Sequence, residues 1–373
     1  MTHRRRLCPL PALLLLLAMV VLTTAQASAN GVGTVYIACE TDSSISVVDT
    51  TTNTVVESIP LAQPPLSLAF SPDAHFVYIS HLNSNVISYL DTSIEDISAT
   101  IKVGKQVGQI VLTAGGTWLV ATDPQEGVVR VIDPSARAEL FAIPVGGQPS
   151  TIAASPDGRM ALVADATSGQ VSAVDLKSRS LLRTQRAAEG PHQISVSPSG
   201  QEFYVTSLEG NELLVFDAPT GQLKRTLSAG QASAPVAFST SGDVVYMPRK
   251  GKNEVAIIDG ATGNTTGTIQ LPAEAAGFGA NKSGRLAFAS LKDASKLAVI
   301  DLTRRSVTVQ VSLDKGPTFV AVSPLQPTTD NTVVLPGALP NTGDPSTPIA
   351  ASALLLGLLL TTVGLGLRAA GAR

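Results

Sequence analysis

"PSTIAASPDGRMALVADATSGQVSAVDLKSRSLLRTQ", residues 149–185, contains the pattern that decides the fold. We interpret four short runs within it as strands with period-two patterning: "STIAA", "MALVAD", "QVSAVD" and "SLLRTQ". A period of two is typical of β-strands, and the Ser-Pro-Asp-Gly sequence between the first two runs is typical of a tight turn. The stretch therefore predicts four short antiparallel strands joined by tight connections.

The same pattern repeats along the chain with a period of 42 residues. The third run of every unit ends in an aspartate, without one insertion in the series: Asp49, Asp91, Asp133, Asp175, Asp217, Asp259 and Asp301. Four antiparallel strands repeated seven times predict a β-propeller. In turns such as "DAPTG" (217–221) the carboxylate accepts backbone N–H groups and the glycine takes a positive φ, so we interpret the aspartates as turn residues, not catalytic groups.

These units resemble the YVTN family of β-propeller repeats. The shared pattern is a proline, an Ala/Val strand, Ser-Pro-Asp-Gly, Tyr-Val and Val-x-Val-Ile-Asp, matched across residues 33–323, with "YVT" at 204–206 as the nearest literal copy. The third unit departs from it with Thr113-Ala114-Gly115-Gly116 in place of Ser-Pro-Asp-Gly. The resemblance implies an all-β, seven-bladed propeller of four-stranded blades over residues 30–323.

The first unit lacks the opening strand that the other units have. "PTFVAVSP" (317–324) is such a strand, and no unit follows it. We therefore expect residues 317–323 to join the first blade as its innermost strand, beside "VGTVYIAC" (32–39). This arrangement closes the ring and pairs strand edges that would otherwise invite aggregation.

Both ends of the chain indicate export. Three arginines at 4–6, a short apolar run and Ala27-Ser28-Ala29 predict a signal peptide over residues 1–29. Its apolar run of roughly 13 residues is too short to span ~30 Å of hydrocarbon. At the other end, residues 348–367 are uncharged and long enough to cross a bilayer, and a basic tail follows at 368–373.

The sequence before the second apolar segment resembles a sortase sorting signal. Its motif lies at the end of a Pro-rich linker (324–347) and consists of Leu339, Pro340, Asn341, Thr342 and Gly343. The resemblance implies that a sortase cysteine attacks the Thr342 carbonyl and passes the chain to a cell-wall amine. It predicts a protein anchored at the cell surface, with sortase and cell-wall peptidoglycan as its anchoring partners. The alternative is a plain C-terminal membrane helix.

Composition limits the remaining partners. Removing residues 1–29 and 343–373 takes away five basic residues and one acidic residue, which leaves 21 basic and 28 acidic residues and a net charge near −7. Because phosphate binding needs a basic surface, this charge argues against nucleic acid. Only one of the two cysteines, Cys39, remains, so an intramolecular disulfide is not possible and stability must come from burial.

The two faces of the predicted propeller differ in their connections. The turn face carries the Ser-Pro-Asp-Gly and Asp-x-x-Thr-Gly turns. The loop face carries the loops between second and third strands and the links between blades, and these loops vary as functional loops on repeat scaffolds do. The candidate binding residues on the loop face are His81, Asp123, Glu126, Asp165, His192, Arg249, Lys250 and Lys252. We expect the charged groups to be exposed and His192 to point into the channel mouth.

The sequence contains none of the common catalytic or metal-binding motifs. It has no His-Glu-x-x-His, Cys-x-x-Cys-His, Gly-x-Ser-x-Gly or phosphate loop. The prediction is therefore a non-enzymatic binding or adhesion module without a cofactor or metal, whose ligand is an extracellular protein or glycan. Two alternatives stay open: a propeller enzyme of lactonase-like or quinone-dependent type with a site at the channel mouth, and a structural cell-envelope protein.

Overall fold

The computed structural model describes residues 33–187, 190–207 and 209–325. These residues form seven four-stranded sheets, each a blade of a β-propeller, as the 42-residue repeat predicts. The predicted signal peptide, the sorting motif and the C-terminal apolar segment lie outside the described residues. Within the described ranges, no helix has the length and apolar character needed to cross a membrane.

The structure contains 28 strands and two short 3-10 turns, Ala114–Gly116 and Lys292–Ala294, in the described ranges. The first eleven strands are β1 (Thr34–Cys39), β2 (Ser44–Asp49), β3 (Thr54–Pro60), β4 (Pro65–Phe70), β5 (Phe76–His81), β6 (Val86–Asp91), β7 (Asp96–Lys102), β8 (Ile110–Leu112), β9 (Leu119–Asp123), β10 (Val128–Asp133) and β11 (Ala138–Pro144). The next eight are β12 (Thr151–Ala154), β13 (Met160–Asp165), β14 (Gln170–Asp175), β15 (Ser180–Arg186), β16 (Pro191–Val196), β17 (Glu202–Ser207), β18 (Glu212–Asp217) and β19 (Leu223–Ser228). The last nine are β20 (Ala237–Phe238), β21 (Val244–Pro248), β22 (Glu254–Asp259), β23 (Thr265–Gln270), β24 (Gly277–Ala280), β25 (Leu286–Leu291), β26 (Lys296–Asp301), β27 (Ser306–Ser312) and β28 (Pro317–Val322).

The first blade is closed by the C-terminal strand. Blades two to seven each pair four strands that are consecutive in the chain, whereas the first blade has the order β28, β1, β2, β3. Strand β28 runs antiparallel to β1 and pairs Val322 with Val35 and Val320 with Ile37. The predicted ring closure is thus confirmed, with the strand ending one residue earlier than expected.

The hydrophobic core lies between neighbouring blades. Because side chains alternate along a strand, Val35, Ile37 and Cys39 pack against the seventh blade, while Tyr36 and Ala38 pack against the second. Seven such clusters are present among the described residues, and each belongs to one pair of adjacent blades. Strands in the middle of a blade are therefore buried on both faces, which explains why runs such as "VYIAC" carry no polar alternation.

Side chains of the repeat satisfy the backbone in its turns. Each of the seven repeat aspartates accepts an N–H two or three residues ahead; in Asp49 the acceptor Oδ1 lies 2.6 Å from the nitrogen of Thr51. In the Ser-Pro-Asp-Gly turn of blade four, Ser155 Oγ accepts the N–H of Met160 at 2.9 Å. In the third blade Thr113 Oγ1 accepts the N–H of Trp118 at 3.0 Å, so it replaces the serine.

Both ends of the propeller lie on the turn face. The N–H of Gly33 donates to the carbonyl of Leu325 at 2.9 Å, and the N–H of Ser323 donates to the carbonyl of Thr34 at 3.0 Å. The carbonyl of Gly33 in turn accepts the N–H of Thr50, which belongs to the β2–β3 turn on this face. The chain therefore enters and leaves the ring on the side opposite the variable loops.

Candidate functional site at the channel mouth

One structural position recurs on the loop face of every blade, directly at or after the end of the second strand. It is occupied by Cys39, His81, Asp123, Asp165, Ser207, Arg249 and Leu291. Six of these side chains are buried, and only Arg249 is partly exposed. The varied polar residues at this position therefore act mainly inside the protein.

Asp123 is the centre of a buried ion-pair network in the third blade. Its side chain is fully buried, and its Oδ2 lies 2.8 Å from Nη2 of Arg130, which also contacts Glu126 and binds Glu139 at 2.7 Å. The carboxylate also accepts the N–H of Lys105 at 3.0 Å, from the link that precedes the blade. Burial alone would raise the pKa of Asp123, but the hydrogen bonds from Lys105 and Arg130 outweigh it and hold this pKa below its usual range.

Asp165 plays a similar structural part in the fourth blade. It is 7 % exposed, and its Oδ2 accepts the N–H of Gln148 at 2.9 Å while Oδ1 accepts the N–H of Thr167 at 2.9 Å. Burial would raise its pKa, and these backbone donors lower it below the usual range. Asp165 thus holds the link between blades three and four close to the loop that follows β13.

His81 occupies the same position in the second blade and has both ring nitrogens engaged. Nδ1 donates to the carbonyl of Gln63 at 3.1 Å, and Nε2 accepts the hydroxyl of Ser88 at 2.8 Å. Burial lowers its pKa, which keeps the imidazole neutral. The expectation that Asp123 and Asp165 are exposed is wrong, because both carboxylates are buried and accept backbone N–H groups. His81 is also buried, at 3 % exposed.

The remaining predicted charges lie nearer the surface. Glu126 is about one-third exposed and lies 3.3 Å from the ammonium of Lys105. Arg249 donates to Glu254 at 3.2 Å, and Lys252, 60 % exposed, lies 3.9 Å from the same carboxylate. Lys250 is exposed as well. Among the predicted candidate residues, the two lysines are therefore more exposed than the carboxylates.

The inner strands enclose a central cavity whose lining side chains are mostly apolar. It measures about 420 Å³, and its lining includes Leu68, Ile110, Ile152, Val236, Phe278 and Val320. Two glutamines of its lining contact each other: Nε2 of Gln109, on blade three, donates to Oε1 of Gln193, on blade five, at 3.4 Å. Oε1 of Gln109 accepts the N–H of Ile152 at 3.0 Å and the hydroxyl of Thr151, which fixes the amide. We call this pair the glutamine bridge.

A second, smaller pocket lies on the loop-face side of the glutamine bridge. It measures about 190 Å³, and besides the two glutamines it is lined by Leu66, Ser67, Ser150, Thr151, His192 and Phe319. We call it the mouth pocket. His192 lines this pocket, where the sequence predicted it. Burial, and secondarily the charge of Lys250, lower the pKa of His192 and keep its imidazole neutral near pH 7.

Other chemistry-bearing groups do not converge at either cavity. In the described parts of the chain, no three His, Cys, Asp or Glu side chains lie close enough together to hold a metal ion. Cys39 is fully buried, and burial raises the pKa of its thiol to about 11. Its thiol is therefore protonated and protected at neutral pH.

Sequence reasoning missed three residues of this region: Gln109, Gln193 and Arg130. Gln109 and Gln193 occupy the same position two repeats apart, so a shared side-chain type at that spacing was the available signal. Arg130 interrupts the apolar run "VVRVID" (128–133) at a position where the other units have serine, alanine or leucine: Ser46, Ser88, Ser172, Leu214, Ala256 and Ala298. A charged residue within a buried strand calls for a buried partner, and Asp123 supplies it.

Comparison with known proteins supports the fold. No protein-family model and no curated protein matches the chain. Among solved structures it is similar to hydrazine synthase from Kuenenia stuttgartiensis, at 18% identity over 71% of this chain and 91% of that one, with a TM-score of 0.62. A functionally unknown protein from Desulfotomaculum acetoxidans is similar at 15% identity over 78% and 98%, with a TM-score of 0.68. The dihydro-heme d1 dehydrogenase NirN, in complex with DHE, is similar at 13% identity over 80% and 77%, with a TM-score of 0.60.

These similarities and the sheet topology define the class of protein. The chain is a seven-bladed β-propeller with four-stranded antiparallel blades and a ring closed by its C-terminal strand. At such low identity the matches establish the architecture alone.

Proposed function

We propose that this chain is a cell-surface binding module that works through its loop face. The observation that carries the proposal is the position of the two ends of the propeller: Gly33 and Leu325 lie together on the turn face. If the protein is anchored through its C-terminal side, we expect attachment at this face to leave the loop face accessible to a partner. The mouth pocket opens on that free face, and ligand sites on repeat scaffolds commonly lie on such variable loops.

The sequence supports the surface location. The predicted signal peptide (1–29) directs export, and the motif at 339–343 resembles a sortase signal, so sortase and peptidoglycan are the proposed anchoring partners. We also propose that the propeller is of the YVTN type, because its repeat pattern resembles that family. The partner on the loop face is an extracellular protein or glycan.

Blocking one face at a time tests this function. Lys252→Cys places a thiol on the loop face, and Lys282→Cys, also exposed, places one on the turn between β24 and β25. Each variant of the exported form, residues 30–342, is coupled to a polyethylene-glycol maleimide and passed over immobilised extracellular glycoproteins and polysaccharides. We expect the polymer on residue 252 to abolish retention and the polymer on residue 282 to leave it unchanged.

The design has an internal control, because the native Cys39 is buried with a raised pKa and does not compete for the reagent. If only the polymer on residue 282 abolished retention, the binding face would be the turn face and not the loop face. Failure of the uncoupled protein to bind any of the immobilised surfaces would refute the binding function.

A further inference from the structure

The hydrogen-bonding groups of the mouth pocket are only partly used within the protein. Gln109 has its oxygen and its amide nitrogen engaged by Ile152, Thr151 and Gln193. Gln193 uses its Oε1 for the glutamine bridge, which leaves its Nε2 without a partner among the described residues. The imidazole of His192 likewise makes no hydrogen bond to the described part of the chain. Two polar groups on adjacent residues of one strand, β16, are therefore available to a ligand.

The lining carries no formal charge. Its polar members are amides, hydroxyls and a neutral imidazole, and none of the lining residues is Asp, Glu, Lys or Arg. An ion that enters a pocket without an opposite charge loses its hydration and gains no pairing, which is costly. Lys250 affects His192 through its charge but is not one of the lining residues. The pocket therefore favours an uncharged ligand.

The size and the apolar surface of the pocket restrict the ligand further. At about 190 Å³ it is smaller than the roughly 300–1,000 Å³ typical of pockets for drug-sized molecules, so it fits one small ring or the end of a longer chain. Leu66 and Phe319 give it an apolar wall. A neutral imidazole offers one donor and one acceptor, and the Gln193 amide adds a donor, a set that suits hydroxyl groups because each hydroxyl both donates and accepts.

We propose that the mouth pocket binds an uncharged, polyhydroxylated ring, such as the terminal sugar of a glycan, with His192 and Gln193 bonding its hydroxyls. The apolar face of the ring packs on Phe319, and the glutamine bridge forms the floor that keeps the ligand out of the larger cavity. The proposal rests on the loop face being the working face, and it names the chemistry that this face recognises.

Titration of the exported form, residues 30–342, with free sugars tests the proposal. The probes are glucose, galactose, mannose and N-acetylglucosamine, compared with the anions glucuronate and glucose 6-phosphate and the cation glucosamine. Binding is measured by calorimetry and by saturation-transfer NMR. We expect at least one neutral sugar to bind, and every charged sugar to bind at least about tenfold more weakly, since the charge is not paired in the pocket.

Three variants locate the binding. His192→Ala and Gln193→Ala each remove one available group and are expected to weaken binding about tenfold, as for the loss of one hydrogen bond to a ligand. Ser150→Trp fills the pocket from its exposed rim without altering β16 and is expected to abolish binding. Gln270→Ala, on the outer strand β23, is the matched control and leaves affinity unchanged. The melting temperature of each variant verifies folding.

Three results would overturn the proposal: no neutral sugar binds, an anionic sugar binds most tightly, or neutral binding survives all three pocket variants. Each of these results would overturn the sugar-binding proposal without overturning the proposal that the loop face binds a partner. The polymer-blocking experiment does not depend on sugar chemistry, and loop-face retention without sugar binding would overturn only the ligand class.

Discussion

A chain that ends at Gly316 is expected to lose more than about 4 kcal/mol of unfolding free energy and to aggregate. This truncation removes β28 and leaves β1 with an unpaired edge. It also takes Val320 and Ala321, which are at most 9 % exposed, from the clusters between the first blade and its two neighbours. Denaturant unfolding gives the free energy, and sedimentation velocity gives the aggregated fraction.

The matched control is a chain that ends at Asp330. It retains β28 and the hydrogen bond between Gly33 and Leu325, and it lacks only the rest of the linker and the C-terminal segment. We expect its unfolding free energy to equal that of the exported form within about 0.5 kcal/mol, because most surface changes fall in that range. Equal stability of the two truncated chains would contradict the closure of the ring by β28.

Asp123→Ala is expected to cost about 3–5 kcal/mol, since it removes one partner of a buried ion pair. The substitution leaves the Arg130 guanidinium, 7 % exposed, with Glu126 and Glu139 as its only carboxylate partners in the described residues. It also leaves the N–H groups of Lys105 and Gln125 without their acceptor. Chemical denaturation of the exported form measures the loss.

Glu126→Gln is the control for that substitution. Glu126 also contacts Arg130, but its side chain is about one-third exposed, a glutamine keeps an acceptor oxygen for that guanidinium, and its contact with Lys105 lies at the surface. Exposed pairs contribute roughly 0–1 kcal/mol, so we expect a small change. If Asp123→Ala destabilised the protein no more than Glu126→Gln, Asp123 would have to be a surface charge after all.

The fold was predictable because the same strand-and-turn pattern occurs seven times in the sequence. Seven aspartates at one spacing define the blades, and "PTFVAVSP" without a following unit defines the closure. Both signals are local in the sequence, and local sequence directly determines where turns and strands form. Even the departure at Thr113 left the turn in place, because a threonine hydroxyl accepts the same backbone N–H as the usual serine.

The burial and the contacts of the candidate site residues were harder to predict. Asp123 and Asp165 stand in variable loops and have the residue type of a solvent-exposed group, yet the 42-residue register aligns them with the buried Cys39 and Leu291. Both carboxylates bind backbone donors in the links before their blades: Lys105, 18 residues before Asp123, and Gln148, 17 residues before Asp165. The glutamine bridge joins blades three and five, a contact that no local pattern reveals.

Labelling of intact cells tests most directly the central claim, that the propeller is held at the cell surface with its loop face outward. Lys252→Cys and Lys282→Cys are expressed in the full chain, and the cells are treated with a bulky, membrane-impermeant maleimide. We predict that residue 252 reacts faster than residue 282 in the cell-wall fraction, and that the two react at similar rates in the released protein. Faster reaction at residue 282 on cells, or no labelling of either residue, would contradict the claim.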